Sequence, residues 1–145
     1  MPTENPLAGQ SALITGASRG IGFAIARRLG QMGARVSLCG RDKKTLEDAA
    51  TRLRSASIDA FALSADVSRA DQVASLVDAT LKKFDAIDIL VNNAGVGRFG
   101  PMHQLTETDW DAVLDTNLKG VFLVSRAVIP GMLARGCGHI INISS

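Results

Sequence analysis

Five apolar runs rich in strand-forming residues divide the chain, and stretches with helical spacing lie between them. The runs cover residues 11–15, 35–39, 60–64, 87–91 and 139–143. Apolar residues recur on one helical face in three sets: Ile21, Ile25, Leu29 and Met32; Leu46, Ala49, Ala50 and Leu53; Val73, Leu76, Val77, Leu81 and Phe84. Runs that are apolar throughout, rather than alternating, are typical of parallel strands that helices cover on both faces.

The spacing of these runs predicts the fold. Strands that alternate with helices at intervals of about 25 residues suit right-handed crossover units. We therefore expect an α/β fold with a doubly wound parallel sheet, the Rossmann arrangement, in strand order 3-2-1-4-5. No linker or low-complexity segment interrupts the pattern, which predicts a single dinucleotide-binding domain over residues 1–145.

Polar residues and one proline predict where helices begin and bend. Two segments have the form of capping boxes and predict helix starts: Ser68-x-x-Asp71 and Thr106-x-x-Asp109. A long helical region covers about 107–135 as two helices that meet near 117–120. Pro130 is expected to kink or shift the second of them.

The segment between the first strand and the first helix carries a chemical signal. Residues 15–22 read Thr-Gly-Ala-Ser-Arg-Gly-Ile-Gly. Glycine admits positive φ and close approach to a ligand, and the first N–H groups of a helix attract anions. An ordinary turn can hold three glycines, but a strand before and a helix after favour a dinucleotide pyrophosphate site. The predicted cofactor contacts in this loop are Gly16, Ser18, Arg19, Gly20, Ile21 and Gly22.

The end of the second strand bears on which dinucleotide binds. Sites for NAD usually place an acid here for the ribose 2′-hydroxyl, whereas this chain has Gly40 followed by Arg41. An arginine fork matches a phosphate, and Arg19 can approach the same point from the glycine loop. The pattern therefore favours NADP over NAD. Two alternatives remain: both arginines are solvated surface charges, or Asp42 pairs with Arg41.

Composition narrows the class of protein. The chain has 145 residues, of which 46% are hydrophobic and 21% charged, as in a soluble globular domain. A net charge of +2 gives no support for a nucleic-acid or membrane partner. The N-terminus lacks the form of a secretion signal and no run reaches the length of a membrane helix, so a cytoplasmic protein is expected.

Few residues suit metal binding or acid–base chemistry. Cys39 and Cys137 lie far apart inside apolar patterns, which favours buried, reduced thiols over a disulfide. The two histidines, His103 and His139, are expected in surface or structural roles. The sequence has no cluster with metal-ligand spacing and no nucleophile–base pairing, so no metal site is predicted.

Two motifs together resemble those of the short-chain dehydrogenase/reductase family. The glycine spacing is Gly-x-x-x-Gly-x-Gly after Thr15, and Asn-Asn-Ala-Gly follows the fourth apolar run. The second motif alone fits a plain turn, but it lies where the strand order is expected to reverse. The resemblance covers essentially the whole chain. It implies cofactor contacts at Asn92, Asn93, Ala94 and Gly95.

The resemblance also implies roles for residues at three other positions. Asp66 and Val67, after the third run, match the pair that holds adenine in the family. Asn117 matches an active-site asparagine whose backbone helps to hold a water chain. Ser145 matches the catalytic serine at the end of the fifth strand, with Ser144 as the alternative.

The same resemblance implies an activity and shows what this sequence lacks. In the family, hydride passes between a nicotinamide and a carbonyl or alcohol, and a Tyr-x-x-x-Lys pair past the serine supplies the proton. This sequence contains no tyrosine, and the family's C-terminal strands and helices are missing from it. We therefore expect the N-terminal part of an NADP-dependent oxidoreductase, inactive by itself. A non-catalytic short protein that binds a dinucleotide or a partner chain is the alternative.

Substrate and assembly are expected by resemblance alone. A 3-oxoacyl thioester is one candidate among other carbonyl or alcohol substrates, and residues 96–104 supply one wall of the pocket. Without the missing elements, the strand at 140–143 becomes an apolar edge and the helix over 121–133 loses a neighbour. The isolated chain is then expected to self-associate, and the complete protein to be a homo-oligomer, either a tetramer or a dimer.

Overall fold

A computed structural model describes residues 5–144, which contain one five-stranded sheet. The strands are β1 (Ser11–Thr15), β2 (Arg35–Gly40), β3 (Ala60–Ser64), β4 (Ile89–Asn92) and β5 (His139–Asn142). Their order is β3-β2-β1-β4-β5 and every pair is parallel, so the doubly wound sheet and its strand order are confirmed. The reversal of strand order falls between β1 and β4, where the carboxyl ends of neighbouring strands leave a crevice.

Five α-helices connect and cover the strands. They are α1 (Gly20–Gln31), α2 (Lys43–Ser55), α3 (Ala70–Phe84), α4 (Glu107–Leu114) and α5 (Gly120–Arg135). A 3₁₀ turn covers Met102–Gln104, and a π-helical turn covers Asp115–Lys119 between α4 and α5. The expected meeting of two helices near 117–120 is therefore confirmed. None of the helices in residues 5–144 has the length and hydropathy needed to cross a membrane.

Alternate residues of each central strand supply two hydrophobic cores. Ala12 and Ile14 of β1 pack with α2 on one face of the sheet, and Leu13 packs with α3 and α5 on the other. The predicted inner faces of α2 and α3 are confirmed, since all the selected apolar residues are buried except Leu81 of α3, which is partly buried. The central strands β1, β2 and β4 are thus covered on both faces, which leaves their carboxyl ends for a ligand.

The predicted inner face of α1 was wrong in part. This helix buries Gly22 and Ala26, whereas Ile21 is 65% exposed and Ile25 and Leu29 are only partly buried. A side chain at Gly22 would overlap the carbonyl oxygen of Gly16, so small residues let the helix approach the loop closely. Hydrophobic spacing misses such a contact because the closest residues carry the smallest side chains.

The predicted helix ends had mixed outcomes. Thr106 and Asp109 form the expected capping box at the start of α4. Ser68 does not cap α3, which has Arg69 at its N-cap; the Ser68 hydroxyl donates to Asp66 Oδ1 at 2.7 Å instead. Pro130 lies inside α5, which continues to Arg135.

The last strand and helix expose much apolar surface. Strand β5 pairs with β4 alone in the part of the chain that is described, and Ile140 and Ile141 are 37% and 45% exposed. Phe122 and Leu133 project from the outer side of α5. Cys137, expected to be buried, is exposed because it follows the glycine that ends α5; Cys39 is buried as expected.

Candidate functional site

A cleft of about 480 Å³ opens at the carboxyl edge of the sheet. Most of the residues predicted to contact a cofactor line it: Gly16, Ser18, Arg19, Gly20, Ile21, Arg41, Asp66, Val67, Asn93, Ala94 and Gly95. Further lining comes from Cys39, Gly40, Ala65, Val96 and Thr116, which the sequence did not single out as contacts. Gly22 and Asn92 lie behind the cleft wall and do not line it. Strand ends far apart in sequence therefore converge on one cavity.

Gly16 and Gly20, in the loop after β1, favour glycine for the same backbone conformation but differ in the space around them. Gly16 and Gly20 have φ values of 63° and 58°, a region that favours glycine. A Cβ at Gly16 would lie 2.8 Å from Ala94 Cα, whereas one at Gly20 would meet nothing within 4 Å. Gly16 thus permits close packing against the loop after β4, and Gly20 leaves open space above the loop.

The start of α1 is open to an anion. Arg19 is its N-cap residue and makes no side-chain capping hydrogen bond. The first N–H groups of a helix have no partner within the helix, and they carry the positive end of its dipole. Gly20 and Ile21, in this first turn, line the cleft. A phosphate in the cleft would therefore supply the acceptors that the helix end lacks.

Thr15 and Asn93 join the glycine loop to the loop after β4. Thr15 Oγ1 accepts the backbone N–H groups of Asn93 and Ala94, both at 3.0 Å. The Asn93 side-chain Nδ2 donates to the carbonyl oxygens of Thr15 at 3.2 Å and Gly16 at 3.1 Å. These four bonds fix both loops in one shape. Thr15 was missed as a site residue, although a hydroxyl at the end of a central strand was the available signal.

The end of β2 presents Arg41, which is not paired with the acid that follows it in the chain. Asp42 Oδ1 accepts the Thr45 backbone N–H at 2.7 Å and so caps α2. The Thr45 backbone and side-chain hydrogen bonds lower the pKa of the Asp42 carboxyl, which keeps it charged in this cap. Among residues 5–144, Arg41 forms no ion pair, so the alternative pairing with Asp42 is absent. Arg41 is exposed and lines the cleft.

Asp66 is held as a carboxylate at the end of β3. Its Oδ1 accepts the Ser68 backbone N–H at 3.0 Å and the Ser68 hydroxyl at 2.7 Å. Burial acts to raise the pKa of Asp66, but these two hydrogen bonds and the Arg41 and Arg69 charges outweigh it, and the pKa falls. The backbone N–H of Asp66 donates to Gln72 Oε1 at 2.7 Å, which fixes the turn. The carboxylate is thus oriented as an acceptor beside the cleft.

Asn117 holds the far wall of the cleft with its side chain. Its Oδ1 accepts the Val96 N–H at 2.8 Å, and its Nδ2 donates to the Val96 carbonyl oxygen at 2.9 Å. Asn117 lies in the π-helical turn between α4 and α5, and such turns are frequent at functional sites. Thr116 from the same turn lines the cleft. The sequence indicated Asn117 by resemblance but gave no sign of this pairing with Val96.

Asn92 faces α5 and β5 from behind the cleft. It is 4% exposed, and its Nδ2 donates to Ser125 Oγ at 3.1 Å and to Asn142 Oδ1 at 2.9 Å. Ser144 follows β5 and is exposed. Ser145, expected to be the catalytic serine, lies outside the described residues.

Other reactive side chains contribute little chemistry. Burial, and then the Asp66 charge, raise the pKa of the Cys39 thiol to about 12 against the smaller lowering effect of a hydrogen bond to Ala65. Cys39 is therefore a neutral part of the cleft floor. His103 lies in the exposed 3₁₀ turn and His139 begins β5. Between residues 5 and 144, no three His, Cys, Asp or Glu side chains are grouped as a metal ion would need.

Comparison with known proteins places this geometry in context. A family model described as short chain dehydrogenase matches residues 10–145. The 3-oxoacyl-[acyl-carrier-protein] reductase FabG of Staphylococcus aureus is 41% identical over 137 residues, 94% of this chain and 56% of that protein. Gluconate 5-dehydrogenase of Gluconobacter oxydans is 41% identical over 139 residues, 96% of this chain and 54% of that protein.

A solved structure shows the same fold. A metagenomic short-chain oxidoreductase in complex with NADP superposes with a TM-score of 0.92 at 47% identity, covering 96% of this chain and 63% of that one. The chain spans about half the length of the curated relatives it matches.

Proposed function

The chain belongs to the short-chain dehydrogenase family, and from this we propose that the complete protein is an NADP-dependent oxidoreductase that acts on a carbonyl or alcohol. The observation that carries the proposal is the open start of α1, which has no side-chain cap and faces the cleft. When bound, the nicotinamide supplies or accepts hydride. The chain's own residues bind and orient the cofactor and leave room for the substrate.

The residues present fit a dinucleotide. The first N–H groups of α1, with Gly16, Ser18 and Gly20, would hold its pyrophosphate. The Asp66 carboxylate, oriented by Ser68, is an acceptor for the adenine amino group, and buried Val67 offers an apolar contact beside it. The loop from Asn93 to Gly95 would flank the nicotinamide end. Gly22 and Asn92 act from behind the wall, by permitting close packing and by holding β5.

NADP is favoured over NAD by the end of β2. Arg41 lines the cleft without an ion pair among the described residues, and the nearest acid in sequence, Asp42, caps α2. The ribose 2′-phosphate would lie beside the Arg41 guanidinium, and because position 40 is a glycine there is no carboxylate at that position to repel the phosphate. Arg19, on the other side of the cleft, would add a second positive charge.

The catalytic roles are assigned by resemblance to the family. We propose that Ser145 donates a hydrogen bond to the substrate oxygen, with Ser144 as the alternative. Asn117 holds Val96 through its side chain. By resemblance, we propose that its backbone helps to hold a water chain. The family's Tyr-x-x-x-Lys pair would supply the proton. Because the present sequence contains no tyrosine, we expect this chain alone to show no hydride transfer.

The substrate class rests on the relatives and on the apolar side chains of the loop that follows Val96. The FabG relative is named for 3-oxoacyl groups and another relative for gluconate, so substrates within similar chains differ widely. Phe99 and Met102, in the loop beyond Val96, are 97% and 81% exposed, and such apolar side chains suit an acyl chain better than a polyol. We therefore favour a 3-oxoacyl thioester.

Assembly follows from the outer side of α5. The exposed Phe122 and Leu133 favour a homo-oligomer, a tetramer or a dimer, for the complete protein. Sedimentation velocity of the complete protein tests this. A monomer at micromolar concentration would contradict it.

The activity is tested by following NADPH oxidation in the complete protein with a 3-oxoacyl thioester. Ser145→Ala should depress kcat strongly while the affinity for NADPH stays near that of the wild type. Ser144→Ala is the matched control, one residue away with the same hydroxyl removed. Full turnover in Ser145→Ala with loss in Ser144→Ala would move the role to Ser144, and no turnover of any carbonyl substrate would reject the proposed activity.

A further inference from the structure

Three polar side chains join β4, β5 and α5 behind the cleft, and we call Asn92, Ser125 and Asn142 the Asn92 clamp. The Asn92 Nδ2 group donates one hydrogen bond to Ser125 Oγ at 3.1 Å and one to Asn142 Oδ1 at 2.9 Å. An amide nitrogen has two hydrogens, so both are used. Asn92 is 4% exposed, so its amide group would be buried without hydrogen-bond partners if these acceptors were removed.

The clamp acts at the carboxyl end of β5. Within residues 5–144 this strand has four residues and pairs with β4. Asn142 lies opposite Asn92 in the register, and the Ile143 N–H donates to the Asn92 carbonyl oxygen at 2.9 Å. Backbone and side chain of Asn92 therefore hold the same end of β5. Ser125 connects this end to α5, which packs on the sheet through Val124 and Val128.

We propose that Ser125 and Asn142 are positioning residues for the reaction, because they fix the end of β5 from which the catalytic serine extends. This inference rests on the proposed function of Ser145. Ser145 follows Asn142 by three residues, a span of at most about 10 Å along the chain. A shift of Asn142 is therefore expected to displace Ser145 as well. A displacement of about 1 Å in a catalytic group is enough to lower turnover substantially.

The first test uses the complete protein and variants that each remove one polar side chain of the clamp. Ser125→Ala and Asn142→Ala should each lower kcat by ~5-fold, the worth of one neutral hydrogen bond, with KM for NADPH unchanged. Ser125→Thr should restore kcat because it keeps the hydroxyl that accepts from Asn92. Ser75→Ala is the matched control, since the Ser75 hydroxyl is exposed on α3 and donates to the Asp71 carbonyl oxygen at 3.1 Å.

A double-mutant cycle separates positioning from simple stability. If the Asn92 clamp acts through Ser145, Ser125→Ala should have no further effect on the residual rate of Ser145→Ala. Hydrogen exchange of the peptide 139–145 should also be faster in Ser125→Ala than in Ser125→Thr or the wild type.

The outcomes distinguish the two proposals. If Ser145→Ala loses turnover but Ser125→Ala and Asn142→Ala keep it, the clamp has no positioning role and the proposed function stands. An equal loss from Ser125→Ala with and without the Ser145 hydroxyl overturns the clamp in the same way. If Ser145→Ala keeps full turnover, the serine assignment fails, and the positioning role fails with it.

Discussion

Replacing Arg41 by alanine tests the arrangement at the end of β2 most directly. Arg41 lines the cleft, forms no ion pair within residues 5–144, and has its neighbour Asp42 engaged by Thr45. The Arg41 charge also lowers the pKa of Asp66, but Asp66 keeps both hydrogen bonds to Ser68 when Arg41 is removed, so the comparison of NADPH with NADH isolates the contact with the 2′-phosphate. This is an advantage over Asp66, whose carboxylate bonds Ser68 and whose loss would also disturb the turn.

The expected magnitude follows from the kind of contact. A charge-assisted hydrogen bond to a phosphate is worth about 1.5–3 kcal/mol, or ~10- to 150-fold in Kd. Because Arg41 is exposed, solvent and salt screen its charge, and the lower half of this range is expected. Binding of NADH, which has no 2′-phosphate, should change little. The ratio of the two affinities is therefore the quantity to report.

The assay is a fluorescence titration of the complete protein with NADPH and NADH at two salt concentrations. Arg27→Ala is the matched control, since Arg27 is exposed on α1 and does not line the cleft, and its replacement removes the same charge. The effect of Arg41→Ala on NADPH should shrink at high salt, while the control stays at the wild-type value.

A second variant tests the same site by adding an acid. A Cβ at Gly40 would lie 3.2 Å from Cδ1 of the buried Leu46, so a side chain at this position requires Leu46 to shift by a few tenths of an ångström. Gly40→Asp should weaken NADPH and strengthen NADH, and Gly40→Ala shows the effect of the added carbon alone. Equal losses for both cofactors in Arg41→Ala, or no change in selectivity in Gly40→Asp, would refute the reasoning.

Three further predictions concern the loop, the thiols and a helix cap. Urea unfolding should show that Gly22→Ala lowers the free energy of unfolding by several times the ~1 kcal/mol expected for Gly20→Ala, because only the Gly22 variant places a Cβ against a carbonyl oxygen. Similar losses for the two variants would contradict this packing. Native protein treated with a thiol reagent should be labelled at exposed Cys137 and not at Cys39, whose pKa is raised to about 12; peptide mass mapping decides, and early labelling of Cys39 would contradict its burial. Hydrogen bonds from the Thr106 hydroxyl and backbone lower the pKa of Asp109, so its contribution is complete above the unfolded pKa of about 4 and is lost as pH falls through the folded pKa. Asp109→Asn should flatten the acid limb of a stability–pH profile below about pH 4, and an unchanged limb would contradict the assignment.

Local sequence signals predicted the individual strands and the glycine loop, because the conformation of each depends mainly on residues that are close together in the chain. The apolar runs gave the strands to within two residues at each end, and helix spacing found the inner faces of α2 and α3. The face of α1 was missed because Gly22 and Ala26 make the closest contacts with little apolar surface. Hydrophobic periodicity detects large apolar side chains, whereas the close approach of α1 depends on residues with small side chains or none.

Contacts between distant segments were not predictable in the same way. Thr15 and Asn93 are 78 residues apart, and only the strand order brings them together. The pairing of Asn117 with Val96 and the orientation of Asn92 toward α5 likewise depend on tertiary structure. Resemblance pointed to Asn92 and Asn117 without indicating what their side chains bind. A motif records which residue types recur, and the partners follow only from the folded chain.

The four hydrogen bonds between Thr15, Gly16, Asn93 and Ala94 have a consequence for the timing of synthesis. The glycine loop leaves the ribosome early, but the groups that fix its shape are made almost 80 residues later. A nascent chain should therefore gain affinity for the dinucleotide only after the loop following β4 has emerged and docked beside β1. Stalled chains ending about 40 residues beyond Gly95 should bind, and those ending before Asn93 has left the exit tunnel should not. Cofactor capture would then mark completion of the central sheet, and binding by the shorter chains would show that the loop forms without its distant partner.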